Sequence, residues 1–216
     1  MNGTMTLLYK EMRLAAHPTS IVFAFLGCLV LVPSYPYSVI FMFGCLAPYI
    51  TFLNARETND IWYTAVLPVT KRESVLGKCL LTASFQLFQL LLSVPFTLLR
   101  NTMNIANNPV GLDATVAWYG FGFILYAVFD LVFLTAFYIN GYKVGKSFVL
   151  AAIPMVLLMV AIEAAAHIPA LAWMDSCQPK HLLTQLPILI VGIVCYGIFM
   201  LFAYRISAKR FEKVDL

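Results

Sequence analysis

Long apolar runs alternate with short polar connectors along almost the whole chain. Six runs stand out, at roughly 18–34, 37–53, 79–99, 117–140, 148–168 and 185–204. The last four are each long enough, as helices, to cross a hydrocarbon core of about 30 Å. The first is short and ends at Pro33-Ser-Tyr-Pro36. The first two runs are therefore expected to form a tight hairpin at one membrane surface, with a re-entrant pair as the other reading. Ahead of them, Met5 to Ala16 is too charged to span. At helical spacing Met5, Leu8, Tyr9, Met12, Ala15 and Ala16 share one face and Thr6, Lys10 and Arg13 lie opposite, with Leu7 and Leu14 out of pattern. This fits a short amphipathic helix lying in the interface, or a plain extension of the first span.

The longest polar interruption before the third run is Asn54 to Lys78. It carries Arg56, Glu57, Asp60, Lys71, Arg72, Glu73 and Lys78. Pro68 ends any helix before it, because it lacks an N–H and disfavours the helical conformation at Leu67. Two residues on, Thr70 and Glu73 stand at capping-box spacing ahead of Val75 and Leu76. A new helix is expected to start there and climb into the membrane. The pattern predicts an all-α integral membrane protein with six transmembrane helices in one domain over 1–216. Its subdivisions are an interfacial N-terminal helix (1–17), a cytoplasmic segment (54–78) and a cytoplasmic tail (205–216).

Composition agrees with the pattern. Of 216 residues, 62% are hydrophobic and 11% charged, against about 25% charged in a soluble domain. The first apolar run has no small-residue cleavage site after it, so it is expected to stay as an anchor. Placement of charge says more than the net +4. With the N-terminus inside, twelve of the fourteen Lys and Arg residues fall on the inner side, leaving Arg100 and Lys180 outside. That asymmetry orients the chain with both termini and the 54–78 segment in the cytoplasm. Four of the five cysteines lie in or beside apolar runs, and only Cys177 falls in an external loop. No disulfide framework follows, and no zinc spacing is present. Outside, Asn101–Thr115 reads as a polar loop, and Pro169–Thr184 as short helices at the interface or an ordinary loop.

Few side chains suggest chemistry. Gly141-Tyr-Lys-Val-Gly-Lys-Ser147 has three residues between its glycines where a P-loop has four, and no strand precedes it. It is read as a basic turn. Asp130 falls near mid-depth of the fourth run, where a carboxylate must face protein or water. It is either a residue of a translocation or proton path, or a helix-to-helix hydrogen bond. Thr82, Gln86, Gln89, Ser93 and Arg100 form one polar stripe on the third span. That stripe either lines a path or seams the span against another helix or subunit. Glu163 and His167 are four apart near the outer end of the fifth run and make half a metal site at best. No nucleophile–base set is visible, so no catalytic residue, metal or cofactor is expected in this chain.

Leu7-Leu-Tyr-Lys-Glu-Met-Arg13, and Glu57 followed by Trp62-Tyr-Thr-Ala-Val-Leu-Pro-Val-Thr-Lys-Arg-Glu-Ser-Val-Leu-Gly-Lys78, carry a resemblance. The sequence resembles the small permease subunits of ABC-2-type transporters. Two departures stand in the motif: Val66 where relatives carry serine, and Lys71 at the first basic position. The resemblance implies an exporter of peptides, antimicrobials or lipid-like molecules, built from two permeases, as a homo- or heterodimer, in a bacterial plasma membrane. It implies ATP and Mg²⁺ bound by a separate cytoplasmic ATPase, not by this chain, and no nucleic-acid partner. Contact with the ATPase would fall to Arg56, Glu57, Asp60, Trp62, Tyr63, Pro68, Lys71, Arg72 and Glu73. The other readings are a proton-coupled transporter or channel using Asp130, and a non-transporting assembly or sensory subunit.

Overall fold

Five helices are long and apolar enough to cross a bilayer, and a sixth span arises if a bent N-terminal pair counts as one. The computed structural model describes residues 3–66, 69–103, 108–139 and 143–213. Every regular element among them is helical. Helix α1 (Gly3–Lys10) runs into a π-helical turn (Glu11–Ala15), and the chain then bends by 105° into α2 (Pro18–Phe25). His17 caps α2, its Nδ1 accepting the Thr19 N–H at 3.2 Å, and Pro18 stands where a missing N–H costs nothing.

The first apolar run is shorter than its composition suggests. After Phe25 it tightens to a 3-10 turn, Leu26–Leu31, so the ordered run rises only roughly 24 Å. Gly27 explains the site of this change. A Cβ there would stand 2.6 Å from the Gln89 carbonyl oxygen, so only glycine lets α5 come this close. Gln89 Nε2 in turn donates to the Phe23 carbonyl at 3.0 Å, where the α-helical ladder ends. Ser34, at φ 59°, then turns the chain into α3 (Val39–Glu57), which packs back on α2.

A second break falls earlier than Pro68. α3 stops at Glu57, Asn59 takes the left-handed conformation at φ 54°, and a separate helix α4 (Asp60–Val66) follows. Asn tolerates that conformation better than most residues. Pro68 itself lies outside the described residues. α5 (Lys71–Thr102) begins with the capping box in place: Thr70 Oγ1 accepts the Glu73 N–H at 3.2 Å, and Glu73 Oε2 accepts the Thr70 N–H at 2.7 Å.

At the centre is α6 (Val116–Ile139), which buries Trp118, Tyr126, Phe129 and Phe133. α7 (Val144–Ala166) and α8 (Pro179–Glu212) pack on it, with a 3-10 turn (Pro169–Asp175) between them. The closest approach is between α6 and α8. A Cβ on Gly120 would meet the Ile188 carbonyl oxygen at 2.6 Å, and one on Gly192 would overlap the Gly120 carbonyl oxygen. Gly192 is therefore a contact glycine, whereas Gly197 faces open space. The outward sides of α7 and α8 expose Ile153, Leu157, Ile190 and Val194, as surfaces that meet lipid or another apolar face do.

At the end of the bundle poor in basic residues, a polar lid closes the core. Arg100 pairs with Asp113 at 2.5 Å, Asp113 N–H donates to Asp175 Oδ1 at 2.6 Å, and Gln185 Nε2 donates to the Trp173 carbonyl at 2.8 Å. Burial pushes the Asp175 carboxyl above its ordinary range, and the Asp113 N–H that it accepts offsets part of this. The expected polar loop and interfacial segment thus form one knitted cap.

Candidate functional site

At the basic end, four charged side chains meet in an almost dry cluster. Lys78 Nζ lies 2.6 Å from Glu11 Oε2 and 2.6 Å from Asp60 Oδ2. Lys10 Nζ lies 2.9 Å from Glu11 Oε1 and 3.1 Å from Asp60 Oδ1, and donates to Thr64 Oγ1 at 2.7 Å. Each carboxylate is thus held between the same two ammonium groups. Side-chain exposure is 1% for Glu11, 4% for Asp60, 5% for Lys78 and 13% for Lys10. Charges this buried are tolerated only when paired. Burial alone would push the Asp60 carboxyl up, but Lys78 and Lys10 outweigh it and hold it below its ordinary value. A depressed carboxyl gives stability that is complete above the unfolded value, about 3.9, and lost only as pH falls further. At neutral pH the cluster stays ionised at Asp60.

Three elements meet there: Lys10 and Glu11 come from α1 and the π turn, Asp60 and Thr64 from α4, and Lys78 from the foot of α5. α1 and the π turn bring Lys10 and Glu11 inward and leave Met5, Tyr9 and Met12 exposed. α4 does the same with its polar side. Asp60 and Thr64 face in, while Trp62, Tyr63 and Val66 are 61%, 55% and 86% exposed. A seven-residue helix with its charge buried and Trp62, Tyr63 and Val66 outside is inverted for a solvated loop. It is what a docking face looks like.

The residues singled out in the sequence divide accordingly. Arg56 and Glu57, at the end of α3, and Trp62 and Tyr63 lie exposed around α4. Asp60 is buried in the cluster, and Glu73 is used by the cap. Arg72 holds Glu212 at 2.6 Å, joining the start of α5 to the end of α8, and Lys71 sits 6.0 Å over the Phe211 ring. Glu11 and Lys10 escaped the sequence reading as site residues. The signal was Lys78, a cation at the threshold of an apolar span that needs an anion from elsewhere in the chain.

The third-span stripe turns inward. Thr82, Gln86, Gln89, Ser93 and Arg100 are all buried. Gln86 Nε2 donates to Asp130 Oδ1 at 2.8 Å and Gln86 Oε1 accepts the Tyr196 hydroxyl at 2.8 Å, joining α5, α6 and α8. Gln89 bonds Tyr126, and Ser93 bonds the Tyr119 hydroxyl at 3.1 Å. The stripe seams α5 to its own chain. Asp130→Asn keeps an acceptor for Gln86 and is expected to leave melting temperature and transport near normal. Asp130→Leu strands the Gln86 amide and costs about 1–2 kcal/mol, read as a lower melting temperature. Transport abolished by Asp130→Asn in a stable protein would instead mark a proton-carrying role.

Comparison with known proteins decides the family. A family model described as "ABC-2 family transporter protein" matches residues 6–208 of the 216. The chain belongs to the ABC-2 transporter family. As an ABC-2 protein it is a membrane permease of an ABC-type transporter, a transport component and not itself the catalyst. The match begins before Lys10 and Glu11 and ends beyond Arg205, so it takes in all four members of the ion cluster and the whole of α4. No curated protein and no solved structure matches the chain.

Proposed function

We propose that this ABC-2 permease works in a bacterial plasma membrane as half of a permease dimer, moving a peptide, antimicrobial or lipid-like substrate outward. Force comes from separately encoded ATPase subunits that bind Mg-ATP in the cytoplasm. Its basic end, with both termini, faces the cytosol, and α1 lies along the inner leaflet with Met5, Tyr9 and Met12 toward lipid. The exposed side of α4, flanked by Arg56 and Glu57, seats in the ATPase. One observation carries the reading: a short helix offers Trp62, Tyr63 and Val66 outward while its buried carboxylate locks it to the foot of a membrane-spanning helix. A push on α4 then moves α1 and α5 with it, because breaking the cluster leaves an uncompensated charge.

The test is co-expression with the ATPase encoded alongside the permease. Trp62→Ala and Tyr63→Ala are each expected to weaken co-purification by about 30-fold, the size of a hot-spot loss near 2 kcal/mol, without changing membrane insertion. Full retention of the ATPase by the double variant counts against docking at α4.

A further inference from the structure

At the end of the bundle opposite the ion cluster, Glu163 stands one turn before the end of α7, in the wall of a pocket of about 440 Å³. That volume falls in the range of small-molecule sites. Val39, Val110, Met159 and Val160 belong to its apolar lining, and Ser38 and His167 line it too. The Ser38 hydroxyl donates to Glu163 Oε1, and the Leu112 N–H donates to Oε2 at 3.0 Å. Both donors are neutral. They orient the carboxylate without cancelling its charge.

No lysine, arginine or histidine does so either. All fourteen Lys and Arg residues and all three His residues lie among the described residues, and none of them forms an ion pair with Glu163. His167 Nδ1 is engaged instead with the Glu163 backbone carbonyl at 2.8 Å. The other carboxylates at this end have their own partners: Asp113 has Arg100, and Asp175 accepts the Asp113 N–H. Glu163 is thus a half-buried carboxylate between apolar walls with no counter-ion among the described residues.

We propose that this pocket binds an organic ammonium joined to an apolar body. The ammonium supplies the missing positive charge where low polarity makes it count most, and the apolar body covers the valine and methionine walls. An anion would be repelled, and a neutral amphiphile would leave the charge as it is. A bare metal ion fits poorly: hard cations need several oxygen ligands, and no cluster of three candidate ligands exists among the described residues. The ammonium can belong to a soluble amphiphilic amine or to a lipid headgroup.

Calorimetry on the purified chain in neutral maltoside micelles tests this, with octyltrimethylammonium, octyl glucoside and octanoate as probes. Saturable binding of the ammonium alone is expected. Glu163→Gln should weaken it at least tenfold. Val160→Trp fills the pocket while keeping the carboxylate, and should weaken it comparably. Adding phosphatidylethanolamine separates the sources: displacement of the probe points to a lipid headgroup, and no displacement to a soluble amine. Equal binding of all three probes, absence of saturable binding, or unchanged affinity in Glu163→Gln overturns the proposal. Should Glu163→Gln fail to fold, unchanged affinity in Val160→Trp overturns it by itself. No ATPase enters the measurement, so its outcome is independent of the docking at α4.

Discussion

Lys78→Met is expected to be the most damaging single substitution at the basic end. It removes the cation that lies 2.6 Å from both Glu11 and Asp60. Two buried carboxylates are then left to share Lys10 alone, and breaking such a cluster by removing one member costs about 3–5 kcal/mol. The loss is not spread evenly. α5 still has its capping box and its apolar run, so insertion into the membrane should persist. What loosens is the grip of α5 on α4 and α1. Limited proteolysis should show new cleavage around residues 11–17 and 58–66, and transport driven by ATP should fall to background. A double variant, Glu11→Gln with Lys78→Met, leaves Lys10 paired with Asp60 at 3.1 Å, strands no charge and should regain most of the protease resistance. Recovery of resistance without recovery of transport would separate the cluster's part in coupling from its part in folding. A wild-type protease pattern in Lys78→Met would mean that the cluster does not hold these elements together.

Gly192→Val is expected to damage the membrane core to a similar degree. Its new Cβ would overlap the carbonyl oxygen of Gly120, and that atom belongs to a helix backbone that cannot swing aside. α6 and α8 would have to separate, and α6 is the helix on which α3, α7 and α8 all rest. Overpacking of this kind costs about 3 kcal/mol, and small residues at such crossings exist to avoid it. Gly197→Val, five positions on, meets nothing within 4 Å. It should leave the melting temperature in detergent unchanged, while Gly192→Val lowers it sharply or prevents purification. Equal melting of the two variants would contradict the close approach of α6 and α8.

How much of this was legible beforehand depended on how local the cause was. The capping box at Thr70 and Glu73 is a contact across three residues, so the sequence showed it directly. Apolar runs of twenty residues announce spans in the same local way, and the late helices follow them. The break at Asn59 was harder, because a left-handed residue has a weaker signature than proline, and Pro68 drew the reading downstream. The short rise of the first run depends on Gly27 meeting the backbone of Gln89, a partner sixty-two residues away. The ion cluster is the extreme case. Its members sit at positions 10, 11, 60 and 78, and on a helical wheel Lys10 belongs to the solvent face of α1. Only the 105° bend after Ala15 and the turn at Asn59 bring them to Lys78. Asp60, exposed by any reading of its neighbours, is buried for the same reason.

On the proposed function, the side of α4 that bears Trp62, Tyr63 and Val66 faces the cytosol and is covered there by a second polypeptide. Labelling of Val66→Cys with a membrane-impermeant maleimide tests this most directly, since Val66 is 86% exposed and the native Cys177 lies exposed toward the opposite end. Intact cells are expected to label Cys177 and to spare the cysteine at 66. Permeabilised cells should label position 66, and co-expressed ATPase should protect it. Labelling of position 66 in intact cells, or no protection by the ATPase, contradicts it.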